Sequence, residues 1–253
     1  MLFVNDSAMP KAKNQYVCWM DIMGTKGKME NSVNTCAIFI FKFHTAILAA
    51  IKKGCQIKPY PVMDGVYITS DSVVDLQKAL AHIYSELGEL FINEKNFHHK
   101  FLVKASVAYG PVIHGSEISN DVSPEFTDAE EYKQALLLGL PMIQANVGER
   151  SAPPFGVFVH ESARAFCKDD EEPFGFRWWK WFLTQPTQQW DKDRIKSLAT
   201  AVDTYFSNCE ALNMSLDYPL EKIKAHRKAA KEYFVDINDA EELKRLSPSQ
   251  EER

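Results

Sequence analysis

An apolar run that breaks off at an aspartate sets the frame for this chain. The segment YVCWMDIMGTKGK is apolar as far as Asp21, gives way to a glycine-containing loop, and leads into a long apolar stretch, residues 32–53, with helical character. A carboxylate at the mouth of a strand, followed by a loop and a helix, can hold a divalent cation while the helix N-terminus receives phosphate. A second segment, KPYPVMDGVYITSD, places Asp64-Gly65 between two short strands at about 56–62 and 66–69, where glycine permits a tight reversal. Aspartates from two neighbouring strands would form a two-metal site, and the chemistry such a site favours is phosphoryl transfer on a nucleotide.

The remaining pattern supplies the scaffold. A strand is expected at 15–22 and a helix at 32–53 that is apolar on nearly every face: Ile38, Phe39, Phe43, Ile47 and Ile51, with Ile40, Phe41 and Leu48 between them. Such a helix is either central or shared with a partner subunit. A helix follows at 73–93, with Leu76, Leu80, Ile83, Leu87 and Leu90 at helical spacing, and a strand at 101–109 is expected to stop at Gly110-Pro111. Residues 130–149 read as one helix with a soft spot at Gly139 and Pro141, 156–160 and 176–182 as strands, and 191–212 and 219–234 as amphipathic helices before a charged tail. The order predicts an α+β fold, a ferredoxin-like βαββαβ sandwich with a C-terminal strand and helical extension. The domain would span 1–170, and 171–253 would pack on it.

Composition narrows the function. With 253 residues, 45% apolar and 25% charged, the chain can bury a substantial core. A net charge of -5 leaves no footprint for a nucleic-acid polymer but keeps small anionic ligands open. Five scattered cysteines without CxxC spacing read as reduced thiols, neither a disulfide framework nor a zinc site. The N-terminus lacks the ordered parts of a secretory signal, and the apolar stretch 35–51, interrupted by Lys42 and His44, is short for a membrane span. A cytoplasmic protein without a membrane partner is expected.

The order strand, Asp21-Ile22-x-Gly24, helix, strand, Asp64, strand, helix, strand, Gly110-Pro111 resembles the class III nucleotidyl cyclase catalytic domain. The resemblance covers about residues 16–166 and continues from Gly139 through GLPMIQANVGERSAPPFGVFVHESA, where Ala145, Glu149, Pro154 and Gly156-Val157 match the family's alanine, acidic residue, proline and glycine-led strand. It implies two Mn²⁺ or Mg²⁺ ions per site, held by Asp21, Asp64 and the Ile22 carbonyl. It also implies a phosphate cradle from Met23, Gly24, Thr25, Lys26 and Gly27, and attack of a ribose 3′-hydroxyl on the α-phosphorus with loss of pyrophosphate. Because class III sites lie between two catalytic domains and this chain has one, a homodimer is implied, with the region of Phe39, Phe43 and Ile47 near the interface.

The departures concern the base. Where the family reads purines through a lysine or acidic residue four before the second aspartate, this chain has Tyr60, and the second base-reading position is Leu136. A site stripped of those partners discriminates poorly in favour of a purine, and a bulky Tyr60 would shorten the pocket to suit a pyrimidine. The pattern is similar to that of the Pycsar pyrimidine cyclases of bacterial antiphage defence, which make cyclic UMP or cyclic CMP; UTP is the expected substrate and CTP the alternative. The family's asparagine and arginine on the helix after Gly139 are replaced by Ile143 and Val147, while Asn146 and Arg150 keep the same four-residue spacing three positions later.

Each of these residues also has a structural reading. Asp71 can cap the helix beginning at Val73, Tyr60 can be a core aromatic, Arg150 a surface charge, Lys26 and Lys28 a solvated loop, and His98, His99, His114 and His160 lack ligand spacing. Three other functions remain open. A diguanylate cyclase or polymerase palm usually offers an acidic pair where this chain has Met63-Asp64; a purine cyclase differs in base alone; and a degenerate cyclase-homology module would bind nucleotide or dimerise without turnover.

Overall fold

The structure, a computed structural model, describes residues 4–168, 170–183, 190–212 and 218–235. The charged tail read from the sequence after 235 lies outside the described residues. Seven strands, β1 (Lys13–Ile22), β2 (Lys58–Val62), β3 (Gly65–Ser70), β4 (Val103–His114), β5 (Leu137–Gly139), β6 (Val157–Val159) and β7 (Trp178–Trp179), form one sheet. Its order is β2-β3-β1-β4-β6-β7, with β5 paired to β4 off that path. All pairings are antiparallel except β4 with β6. The helices are α1 (Thr25–Asn31), α2 (Val33–Lys52), α3 (Val73–Asn93), α4 (Glu130–Gln134), α5 (Leu140–Glu149), α6 (Glu161–Ala165), α7 (Lys192–Ala211) and α8 (Leu220–Val235).

β1 explains its own unbroken apolar sequence. Tyr16, Cys18, Met20 and Ile22 enter the main core, to which α2, α3, α7 and α8 all contribute. Val17 and Trp19 face the other way, into small clusters with Tyr60, Val112 and Leu137, and with Ala108 and Ala145 of α5. A strand covered on both faces has no polar alternation to show. By the same alternation Asp21 falls on the α5 side of the sheet.

The mixed α+β class and the βαββαβ order are as expected, with local differences. The loop expected after Asp21 contains a short helix, α1. β4 does not stop at Gly110-Pro111: Gly110 adopts a φ of 157°, open to glycine, and the strand continues to His114 with Pro111 opposite Asn14. The single helix expected at 130–149 is two helices around β5. Gly139 must lie close to β4, where a Cβ would come 2.6 Å from the Pro111 carbonyl oxygen, and Pro141 then sits in the first turn of α5, a helix start and not a soft spot. The strand expected at 176–182 shrinks to Trp178–Trp179, because Trp181 turns inward and is fully buried. Ser72, not Asp71, caps α3, accepting from the Asp75 amide at 3.5 Å, and Glu171 adds its carboxylate to the Val73 amide at 3.1 Å.

Phe39, Phe43 and Ile47, expected near a subunit interface, are completely inside the core; the apolar residues α2 leaves open are Val33, Ile38, Phe41 and Leu48. Fixing the first three against the sheet satisfies one face of the helix and leaves the opposite one bare. At 20 residues α2 is also long and apolar enough to cross a membrane, contrary to the reading of a short span, although 33% of that window is buried within the fold.

Candidate metal and nucleotide site

Asp21 and Asp64 approach because β1 and β3 pair with Asp21 opposite Gly65. Gly65 leaves room for this: a Cβ there would lie 2.4 Å from the Trp19 ring and 3.0 Å from Asp21 Oδ1. Met63, at a φ of 54°, completes the turn that presents Asp64. Thr25, the first residue of α1, donates its hydroxyl to Asp64 Oδ2, while the Ile22 amide donates to Asp21. The loop after β1 and the β2–β3 hairpin are thereby joined through a side-chain bond.

The electrostatics concentrate negative charge here. Burial, then the charges of Asp64 and Glu149, push the Asp21 carboxyl up to about 7 against the opposing effects of the Ile22 amide and Lys104. Lys104 stands opposite Asp21 in the β1–β4 ladder and pairs with Glu149, the last residue of α5, at 3.0 Å. Both partners are buried. Three carboxylates against one ammonium leave an excess that a hard divalent cation would neutralise, and oxygen donors of this kind suit Mg²⁺ or Mn²⁺. Among the described residues no three His, Cys, Asp or Glu side chains converge on a complete metal cage, so further ligands would be backbone, water or substrate oxygens.

The expected phosphate cradle is narrower than residues 23–27. The Met23 amide already donates to the Leu102 carbonyl at 2.8 Å, which takes it out of the cradle. Gly24 caps α1 at a φ of 74° and brings no side chain; Thr25 spends its hydroxyl on Asp64; Gly27 lies in the first turn; and the side chain of Lys26 lies outside the described residues.

Tyr60 is 4% exposed and its phenol is bonded to His114 Nδ1. His114 Nε2 lies 2.7 Å from Gln15 Oε1, and Gln15 Nε2 donates to Asp71 Oδ1 at 2.8 Å. With the phenol donating, the neutral Nε2–H tautomer satisfies every member of this chain. Tyr60 therefore offers bulk and not a hydrogen bond to a base. Asn146 is exposed and bonds the Tyr67 phenol, which packs on Trp19 at a centroid distance of 4.5 Å. Arg150, at the end of α5, is exposed, and Ile143 and Val147 are 63% and 57% exposed.

Sequence reasoning missed Lys104 and the Thr25 hydroxyl. The first had a signal: FLVKASVAY is an apolar strand with one charge, in register with Asp21. The second had none, since the Thr25–Asp64 contact exists only once the hairpin has folded back over α1.

No protein-family model matches the chain, and no curated protein does. Among solved structures, a bacterial light-regulated adenylyl cyclase superposes with a TM-score of 0.50 at 18% identity, covering 66% of this chain and 48% of that one. The guanylate cyclase domain of RhGC from Catenaria anguillulae in complex with GTP gives a TM-score of 0.45 at 13% identity, covering 60% of this chain and 81% of that one. A dimeric guanylyl cyclase domain of the RhoGC fusion protein from the aquatic fungus Blastocladiella emersonii gives 0.46 at 14% identity, covering 62% and 84%. This chain spans about half of the adenylyl cyclase, and what the two share is the fold.

Proposed function

We propose that this chain is a nucleotidyl cyclase that converts UTP to 3′,5′-cyclic UMP and pyrophosphate, with CTP to cyclic CMP as the alternative. The convergence of Asp21 and Asp64 across the β1–β3 pair, tied by Thr25, is the observation that supports it most. The two carboxylates and the Ile22 carbonyl would hold two Mg²⁺ or Mn²⁺ ions. Bound there, such ions supply Lewis acidity to the ribose 3′-hydroxyl and neutralise the triphosphate. The chain's own part is positioning: Thr25 orients Asp64, Glu149 holds Lys104 beside Asp21 as a fixed positive charge, and Gly24 opens α1 toward phosphate oxygens. The 3′-oxygen then attacks the α-phosphorus, its proton is lost to solvent, and pyrophosphate leaves. Asn146 and Arg150 would stand in for the ribose and phosphate contacts of the resembled family, with Arg150 free at the surface to reach across an interface.

The pyrimidine part rests on Tyr60 as volume and on Leu136 in place of a polar reader. A homodimer is part of the reading, assigned now to the α5 side of the sheet, where Leu138, Leu140, Ile143 and Val147 are exposed together with Val62 and Met63 of the hairpin. Residues 1–170 would be the catalytic domain and 171–253 its extension. The free state of all five cysteines favours a reducing, cytoplasmic setting, and the product would serve as a diffusible signal of the antiphage kind. Incubation with each ribonucleoside triphosphate and Mn²⁺, with identification of the cyclic product, tests the assignment. Preference for ATP or GTP overturns the pyrimidine reading, and no pyrophosphate from any of the four leaves the degenerate module. For the dimer, Ile143→Glu should give a monomer by light scattering; a stable wild-type monomer with full activity would refute it.

A further inference from the structure

The C-terminal helices reach the loop that carries the site through one lysine. Lys28 lies on α1, one turn beyond Thr25, and its Nζ donates to the Lys100 carbonyl at 2.5 Å. The same ammonium lies 5.0 Å from the ring centroid of Phe39 on α2 and 5.7 Å from that of Tyr205 on α7. The segment just before β4 therefore grips the site loop twice, at Met23 through the Leu102 carbonyl and at Lys28 through the Lys100 carbonyl.

Tyr205 is itself fixed, packed against Phe91 and Phe97 at centroid distances of 5.7 and 5.1 Å. Burial pulls the Lys28 ammonium down to about 8, with Cys209 of α7 and Cys36 of α2 acting in the other direction. α8 is held to α7 by the Arg227 ion pairs to Asp203 and Glu210. Its His226, bonded to the Tyr218 phenol, is pushed down to about 4 by burial and then by the charges of Lys104 and Lys222. The extension thus adjoins the helix that follows Asp21 through Tyr205 of α7.

We propose that Lys28 is a positioning residue for the Asp21–Asp64 site, and that Tyr205 is the partner through which the C-terminal extension keeps α1 where Thr25 meets Asp64. The proposal rests on reading the two aspartates as a divalent-cation site. Lys28 touches neither aspartate and acts only through α1. A lysine enclosed by two aromatic rings and a carbonyl is a directional contact, so its loss should shift α1 as a unit without opening the main core.

The test uses the full chain and four variants: Lys28→Met, Lys28→Arg, Tyr205→Leu, and Arg227→Ala as a control. Arg227→Ala cuts the α8–α7 ion pairs to Asp203 and Glu210, at 2.7 and 3.0 Å, without touching Lys28. Two quantities are measured: Mn²⁺ affinity from the electron paramagnetic resonance signal of free Mn²⁺, and hydrogen exchange of the α1 amides by mass spectrometry. Lys28→Met and Tyr205→Leu should weaken Mn²⁺ binding about tenfold and speed α1 exchange, with Lys28→Arg restoring most of both. Arg227→Ala should lower thermal stability while leaving both quantities at wild-type values.

Wild-type Mn²⁺ affinity and α1 exchange in Lys28→Met would overturn the proposal. Equal changes in Arg227→Ala would do the same, because general loosening of the extension would then suffice. A wild-type protein that binds no Mn²⁺ sinks the metal reading instead, and α1 exchange then decides alone whether Lys28 and Tyr205 hold that helix.

Discussion

The two faces of the sheet are built to different standards. On one, β1 contributes Tyr16, Cys18, Met20 and Ile22 to a continuous core that takes in α2, α3, α7 and α8. On the other, Val17 and Trp19 belong to clusters of only a few residues under α5, and the residues beside them include Asp21, Lys104 and Glu149. Apolar burial supplies stability where it is continuous, while a sparsely covered face can keep charges unneutralised for a ligand to use. The candidate site lies where the covering stops.

That contrast predicts that damage to the two faces is of different kinds. On the open face, Asp21→Ala or Asp64→Ala should cut pyrophosphate release by at least about 10³-fold while leaving the circular dichroism spectrum like wild type, since on the two-metal reading each removes a ligand and no core contact. Near-normal turnover in both variants with Mn²⁺ would end the two-metal hypothesis. On the covered face, Phe43→Ala should cost about 3–5 kcal/mol of folding stability, read from urea unfolding, because a fully buried ring leaves a cavity. A cost below about 1 kcal/mol would mean that Phe43 is not the core residue its burial makes it.

The covered face was largely legible in the sequence, and the open face only in part. Helical spacing in 73–93 gave α3 to the residue, and the approach of Asp21 to Asp64 could be read from their places at the ends of neighbouring strands. What escaped were features set by long-range contact. The continuation of β4 past Gly110-Pro111 depends on pairing with β1 as far as Val112 and with β5 as far as His114, and β5 was hidden in an apparent helix because LLG carries no strand period of its own. Phe39, Phe43 and Ile47 looked available to a partner because a sequence does not say which side of an all-apolar helix meets the sheet. Lys104 needed the β1–β4 register before it could be placed beside Asp21.

The charge left on the open face should also be visible in stability without metal. Asp21 has its carboxyl raised to about 7 in the folded state, so the folded protein holds that proton more tightly than the unfolded chain does. The associated stability is present below about pH 4 and is lost as pH rises through about 7, with little further change above. With the group partly open to solvent, the loss should be about 2 kcal/mol, and Asp21→Asn should remove it. Urea midpoints in EDTA at pH 5, 6, 7 and 8 compare the two proteins. Parallel profiles would show that Asp21 carries no such penalty.

The smallest expected effect is on base choice, and it separates bulk from hydrogen bonding at Tyr60. The phenol is committed to His114, so Tyr60→Phe keeps the ring in place and should leave the ranking of the four nucleoside triphosphates unchanged. Tyr60→Ala removes the ring from among Val17, Val112 and Leu137 and opens space toward the β2–β3 hairpin. Purine use should then rise relative to UTP by about 1–2 kcal/mol in relative kcat/KM, since space alone does not install the hydrogen bonds a purine edge requires. The same variant leaves His114 without its phenol partner, so its stability must be measured alongside; His114→Gln, which keeps the ring of Tyr60, controls for that loss. A shift in Tyr60→Phe as large as in Tyr60→Ala would transfer the selectivity from the ring to the hydroxyl, and no shift in either would remove Tyr60 from the account of substrate choice.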